Sequence, residues 1–323
     1  MKDESKEKPE KKEGVTVDLN DSRNVFDIIY SAKDVEDTKP NIIENLKSLI
    51  DKSPLKDAYT FLFLYDDAGQ INRYTANQIY SALSEKKDNS KKDVLLILYS
   101  MGGLVEPAYL ISKCCKEYAN KFVVAIPRQA KSAATLLAMG ADEIHMGLMS
   151  ELGPIDPQVG RYPALGLGNA IESLASLCKR YPESSDMFAK YLSLSLNLQD
   201  LGYFERVSES AAQYAERLLK NKKLPSGQTP TSVAGRLVYS YKDHGFVIDK
   251  EEAESFLGKD FVKYNTDEYK LSDSIHKFLE WAILAFKVFK KKDFKIIGNL
   301  DSGISFLDRK EEWMIIYKFT VEY

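Results

Sequence analysis

The sequence predicts an α/β fold built on a mostly parallel sheet, and three observations lead there. Apolar runs of strand length alternate with longer stretches of helical periodicity, which is the pattern of repeated β-α units. Those runs are apolar at nearly every position, as strands covered on both faces are. Between them stand glycine, serine and proline, the residues that close strand-to-helix turns. At 323 residues and 44% hydrophobic, the chain is long enough for one large domain or one domain with appendages.

Taken in order, residues 1–14 are charged and predicted disordered. Asn24 to Lys52 reads as helical and ends near Ser53-Pro54. Tyr59 to Tyr65 is a strand, and Thr75-Ala76-Asn77-Gln78 reads as a capping box opening a helix that runs to about Glu85. Val94 to Tyr99 is a second strand running into Ser100-Met101-Gly102-Gly103, with a helix from near Glu106-Pro107. Phe122 to Ile126 is a third strand, followed by Gln129-Ala130-Lys131-Ser132 and a small-residue helix that Gly140 stops. Ala141 to Met146 is a short strand leading to Ser150-Glu151-Leu152-Gly153-Pro154-Ile155-Asp156-Pro157-Gln158. Residues 169–221 hold no clear strand, and Asn169 to Lys179, Ser184 to Ser195 and Phe204 to Lys220 look helical. Phe278, Trp281, Ala282, Leu284, Ala285 and Val288 form an apolar stripe expected in core or interface, and Lys290-Lys291-Lys292 a solvated helix end. Phe294 to Ile297, Gly303 to Leu307 and Trp313 to Val321 read as three strands of a small C-terminal antiparallel β appendage. The expected organisation is a domain over 15–275 with a helical insertion at about 169–221, then a C-terminal unit over 276–323.

Chemistry concentrates at Ser132, where an apolar strand gives way to a helix start. There a hydroxyl sits among unpaired backbone N–H groups that favour an alkoxide and a nearby oxyanion. Simple N-capping is the alternative, serine being a preferred N-cap. The glycine turn at Gly102 and Gly103 permits close backbone approach and can present the Gly102 N–H to a substrate carbonyl, with the Ala133 N–H as second donor; an ordinary glycine turn is the other reading. Ser100 looks like half of a G-x-S-x-G elbow, but Leu98 occupies the first glycine position and that reading fails.

The strand-Ser-x-Gly-Gly turn, the strand-Gln-Ala-x-Ser turn and Leu-Gly-Pro-Ile-Asp-Pro-Gln, in that order, resemble the Clp-protease/crotonase-like superfamily. Within it, the chain most resembles the serine dehydrogenase proteinase family, a relative of signal peptide peptidase A, over roughly residues 55 to 260. The resemblance makes Ser132 the nucleophile and Gly102, Gly103 and Ala133 the oxyanion-hole residues. It also implies that the helical region shapes the substrate groove and the contacts of a homo-oligomer, with Leu174, Leu177, Phe188, Leu192 and Leu196 as apolar positions. At the place of the Clp-type histidine this chain has Asp156.

A base must therefore come from elsewhere. The histidines are His145, His244 and His276. His244, in the block before Glu251-Glu252-Ala253-Glu254, resembles the segment that carries the third triad member in Clp proteases. Set against Asp156 it gives a Ser-His-Asp triad with two partners exchanged, which the chemistry permits. Alternatively His244 caps a turn and Asp156 satisfies the N–H groups of its loop. Lys179 falls in the interval where related peptidases carry a lysine base, although a basic residue at a helix end is also explained by the dipole. Lys131 is expected to be solvated or bound to substrate.

Two function classes follow: a serine peptidase, or amide or ester hydrolase, acting on peptide or protein, and a Clp-like scaffold or regulatory binding protein that has lost its base. Crotonase-like acyl-CoA chemistry is weaker, because it leaves Ser132 unexplained. With 48 acidic and 45 basic residues there is no basic excess to suggest nucleic acid. Cys114, Cys115 and Cys178 have neither zinc spacing nor a disulfide framework, so neither metal nor cofactor is expected and a reducing cytoplasm fits. Without an apolar N-terminal core or a run of 18 apolar residues, membrane association is expected only through a partner.

Overall fold

A computed structural model describes residues 22–84, 91–159, 162–195 and 198–308. The described residues begin with α1 (Ser22–Ser31) and α2 (Lys39–Asp51), not one helix. Pro40, which has no N–H and clashes in a helix interior, stands in the first turn of α2 and forces the restart. β1 (Tyr59–Asp66), α3 (Arg73–Ser84), β2 (Asp93–Ser100), α4 (Val105–Tyr118), β3 (Phe122–Ala125), β4 (Gln129–Ala130), α5 (Ala133–Met139), β5 (Glu143–Met146) and β6 (Glu151–Leu152) then alternate as β-α units. A short hairpin, β7 (Gln158–Val159) and β8 (Tyr162–Pro163), leads to the helical region α6 (Ala164–Arg180), α7 (Ser185–Ser195) and α8 (Leu198–Leu219). The chain continues with α9 (Pro230–Gly235), α10 (Lys250–Leu257), β9 (Val262–Tyr264), α11 (Asp267–Ala285), β10 (Lys292–Gly298) and β11 (Ile304–Asp308).

The main sheet has the order β11-β10-β1-β2-β3-β5-β9, parallel from β1 to β9. Its central strands alternate between two cores. Leu62, Leu64, Leu96 and Leu98 face the larger, while Phe63, Tyr65 and Ile97 face the one closed by α1, α2 and α11. This is why the strands read as apolar throughout. β4 leaves the plane, pairing with the end of β2 and with β6. The sheet thus forks at the end of the central strand β2, next to Ser132.

Local details depart from the sequence reading. The N-terminus of α3 is capped one turn earlier than Thr75: Asn72 and Thr75 exchange bonds, Thr75 N–H to Asn72 Oδ1 at 3.1 Å and Asn72 N–H to Thr75 Oγ1 at 3.3 Å. The two described C-terminal strands are antiparallel as expected, yet they are not set apart. β10 pairs with β1, so they extend the main sheet, and α11 runs straight across position 275. The expected strand at Trp313–Val321, the segment 1–14 and Leu196 lie outside the described residues. Lys290 is no free helix end, because its ammonium donates to the carbonyls of Tyr30 (3.2 Å) and Ala32 (2.6 Å) that close α1. Of the apolar stripe, Phe278, Ala282 and Ala285 are buried, whereas Trp281, Leu284 and Val288 are exposed. Among the described residues, no helix is long and apolar enough to cross a membrane.

Candidate active site

The site begins with a strained residue. Ser132 occupies the N-cap position of α5 with φ 50° and ψ −121°, a conformation that costs an L-residue on the order of 1–3 kcal/mol. Its side chain makes no capping bond, so the capping alternative does not describe it. The surroundings hold the turn in place. The Lys131 N–H donates to Ser100 O at 3.0 Å, joining it to the end of β2, and Thr135 Oγ1 donates to Ala130 O at 2.6 Å while accepting the Gly153 N–H at 3.0 Å. The hydroxyl is thereby left for the cavity.

The glycine turn abuts it. Gly102 has φ 101°, and a Cβ there would lie 2.6 Å from Lys131 O and 2.8 Å from Ser132 Cβ. Gly103, at φ 149°, is equally crowded by Ile71, whose N a Cβ would approach to 2.4 Å. Two consecutive positive-φ positions, one packed on the Ser132 turn and the other on the Ile71 backbone, explain why both are glycine. The Ala133 N–H, at the first helical position, has no intrahelical acceptor. The Gly102 N–H is occupied: it donates to Ser100 Oγ at 3.1 Å. Of the two expected oxyanion donors, then, one already has an acceptor inside the protein.

Asp156 and His244 meet. His244 Nδ1 lies 2.7 Å from Asp156 Oδ1; the carboxylate is buried and the imidazole one-third exposed. The loops that carry them are joined by an antiparallel bridge in which Leu152 and Ile248 exchange N–H···O bonds of 2.9 and 3.0 Å. Hydrogen bonding to Asp156 raises the His244 pKa above the ordinary imidazole value and outweighs the opposing effect of burial. Ser132, His244 and Gly102 line one cavity of about 710 Å3, closed on one side by Tyr203, Val207 and Ala211 of α8. Among the described residues, Ser132 Oγ and His244 are not hydrogen-bonded to each other.

The remaining candidates lie elsewhere. His145 is buried between Thr266 Oγ1 (2.7 Å) and Glu143 Oε2 (3.3 Å), and burial lowers its pKa despite the carboxylates. His276 is buried on the other face of the sheet with Nδ1 2.6 Å from the Tyr65 hydroxyl, and its pKa is pushed down to about 4. Lys179 sits on the exposed last turn of α6 and does not line the cavity. Lys131 corrects the expectation of a solvated side chain: it is buried, with Nζ 3.2 Å from Glu151 Oε2. The turn that aims Ser132 into the cavity sends its neighbour into the protein. Sequence reasoning also passed over Ser100 as a partner of Gly102, for which its position two residues ahead was the available signal.

A family model described as "ClpP-like SDH-type serine proteinase" matches residues 68–177. The matched segment, about a third of the chain, carries both turns and Ser132 and is similar to that family. Two uncharacterized proteins of Methanocaldococcus jannaschii are each 42% identical to this chain, over 81 and 72 residues, or 25% and 22% of it. The matched segments span only 28% and 25% of those proteins. Among solved structures, a mutant of the 1510-N membrane-bound stomatin-specific protease is similar at 15% identity and TM-score 0.39, over 78% of this chain and 91% of that one. ClpP1 from Listeria monocytogenes is similar at 14% identity and TM-score 0.41, over 70% and 98%.

Proposed function

We propose that the protein is a serine peptidase that cleaves peptide or protein amide bonds through an acyl-enzyme on Ser132. The observation that carries this reading is the His244–Asp156 pair at 2.7 Å, whose imidazole lines the same cavity as a serine held at positive φ. Ser132 Oγ attacks the scissile carbonyl carbon while its proton passes to His244 Nε2. The resulting tetrahedral oxyanion is held by the Ala133 N–H and by the Gly102 N–H once that N–H turns from Ser100 Oγ. Collapse expels the amine, which takes the proton from His244, and the acyl group stays on Ser132. Water then attacks the ester, again through His244, and releases the acid and the serine hydroxyl. Asp156 holds the imidazole with Nδ1 protonated and Nε2 facing the cavity, and it stabilises the imidazolium during transfer.

Two features support a resting state that must tighten on substrate: the missing Ser132–His244 hydrogen bond and the Gly102 N–H already engaged by Ser100. Catalytic bonds that are long without substrate and close with it are common among hydrolases. The same two features support the second reading, a Clp-like scaffold, in which they never change. Subunit association through the helical region, with homo-oligomers as the working form, belongs to the same proposal, as does a cytoplasmic location.

Fluorophosphonate labelling separates the readings. The peptidase should be modified at Ser132, by mapping of the labelled peptide, and Ser132→Ala should remain unlabelled. No modification at saturating probe, or modification at another serine only, leaves the scaffold.

A further inference from the structure

Each of the three groups proposed for catalysis stands on a different segment: Ser132 at the start of α5, Asp156 on the loop after β6, His244 on the loop before α10. One side chain touches all three segments from behind the cavity. Lys131, adjacent to Ser132, is 6% exposed and runs inward past Gly153, where a Cβ would stand 2.6 Å from its Cδ. Its ammonium has three acceptors: Glu151 Oε2 at 3.2 Å, Leu152 O at 3.4 Å and Phe246 O at 3.3 Å. An ammonium has three protons, so donors and acceptors match in number. Glu151 and Leu152 form β6, which leads into the Asp156 loop; Phe246 follows His244 by two residues.

We propose that Lys131 is a positioning residue that sets the spacing of Ser132, His244 and Asp156, by clamping the His244 loop and β6 to the nucleophile turn. The inference rests on the peptidase reading for its catalytic consequence, and on the geometry alone for its mechanical one. Filling the space does not need a charge: a buried ion pair replaced as a whole by apolar residues of similar volume often costs no stability, and Glu151, about a quarter exposed, keeps contact with water when Lys131 alone is changed. What methionine cannot supply is three directional bonds to two other segments. The Leu152–Ile248 bridge already joins those segments to each other, and Lys131 is what adds the residue next to the serine to them through side-chain bonds. Glycine at 153 fits this account, because a side chain there would displace the lysine stem. The clamp lies outside the cavity and touches no reacting atom.

The test is Lys131→Met in the full chain, read in two ways. Amide hydrogen exchange over residues 243–247 should rise while exchange in the central strands stays unchanged. Fluorophosphonate inactivation should keep its half-saturating probe concentration and lose roughly ten- to a hundredfold in maximal rate, the scale on which a small misplacement of catalytic groups acts. Glu151→Gln, which keeps the lysine and its carbonyl bonds, should move both readouts the same way by less; if Lys131→Met does not fold, this variant decides alone. Unchanged exchange at 243–247 overturns the clamp. So does a loss spread equally over the central strands and over both kinetic constants, since general loosening produces that. If the wild type is not labelled at all, the peptidase reading falls and the exchange experiment still decides the clamp.

Discussion

Two serines in this protein, Ser100 ending β2 and Ser132 following its partner strand β4, each precede a helix, and they have opposite fates. Ser100 is buried at the end of β2, where its hydroxyl accepts the Gly102 N–H. Ser132, after β4, is turned to positive φ, makes no capping bond and lines the cavity. Placement between strand and helix alone does not distinguish them; Leu98 in place of a glycine is what the sequence sets against Ser100. Backbone conformation does distinguish them. In ordinary extended backbone a serine finds a neighbouring N–H to satisfy; held at φ 50° by the packing around it, a serine is aimed away from its own helix.

The widest separation between the two serines should appear on removing them. Ser132→Ala should abolish labelling, and Ser132→Gly should abolish it as well while raising the thermal midpoint, because glycine adopts positive φ without the penalty of roughly 1–3 kcal/mol. A calorimetric scan showing Ser132→Gly less stable than wild type would mean that the turn is not strained. Next in size, His244→Ala should slow labelling by about a thousandfold or more, as loss of a triad base does, with Lys179→Ala leaving the rate unchanged. The reverse ranking in a labelling time course would hand the base to Lys179.

The pH dependence follows from the raised His244 pKa. A base works when neutral, so the labelling rate should climb through a midpoint above the ordinary imidazole value, and Asp156→Asn, which removes the largest cause of the shift, should move that midpoint down. Stability runs the other way. The stabilisation from the raised pKa is fully present below the unfolded imidazole pKa and is lost as pH rises through the folded value. A labelling profile flat from pH 5 to 9 would exclude His244 as the titrating base. Smallest of all, Ser100→Ala frees the Gly102 N–H and should change the labelling rate by a few-fold upward if that bond competes with the oxyanion. A fall of the same size would mean that Ser100 Oγ orients the donor instead of occupying it.

Much of the frame was legible because it is local. The strands announce themselves by unbroken apolar runs, and the two turns by glycine pairs and small residues at strand ends. The proximity of Asp156 to His244 was legible too, from an aspartate at one motif position and a histidine before a Glu-Ala helix. What could not be read depends on direction or on distant pairing. Which way Lys131 points depends on acceptors at Glu151, Leu152 and Phe246, the last more than a hundred residues away, which no local pattern encodes. That Phe294 to Ile297 would join β1, more than two hundred residues earlier in the sequence, follows from which sheet edge was open, and the strand pattern is the same for a separate appendage. The Asn72 cap was missed because Thr75 also suits the role, and only the chain's entry angle chooses between them.

The seating of β10 against β1 bears on how the chain tolerates being cut. A fragment ending at residue 275 would retain the Ser132 cavity, since its lining residues all precede that point. It would also lose half of α11 and bare one flank of β1, a strand whose Leu62, Phe63, Leu64 and Tyr65 are completely enclosed in the intact chain. An uncovered apolar strand with unpaired amides and carbonyls is a template for joining chain to chain, so the trimmed chain should aggregate at a lower concentration than the intact one.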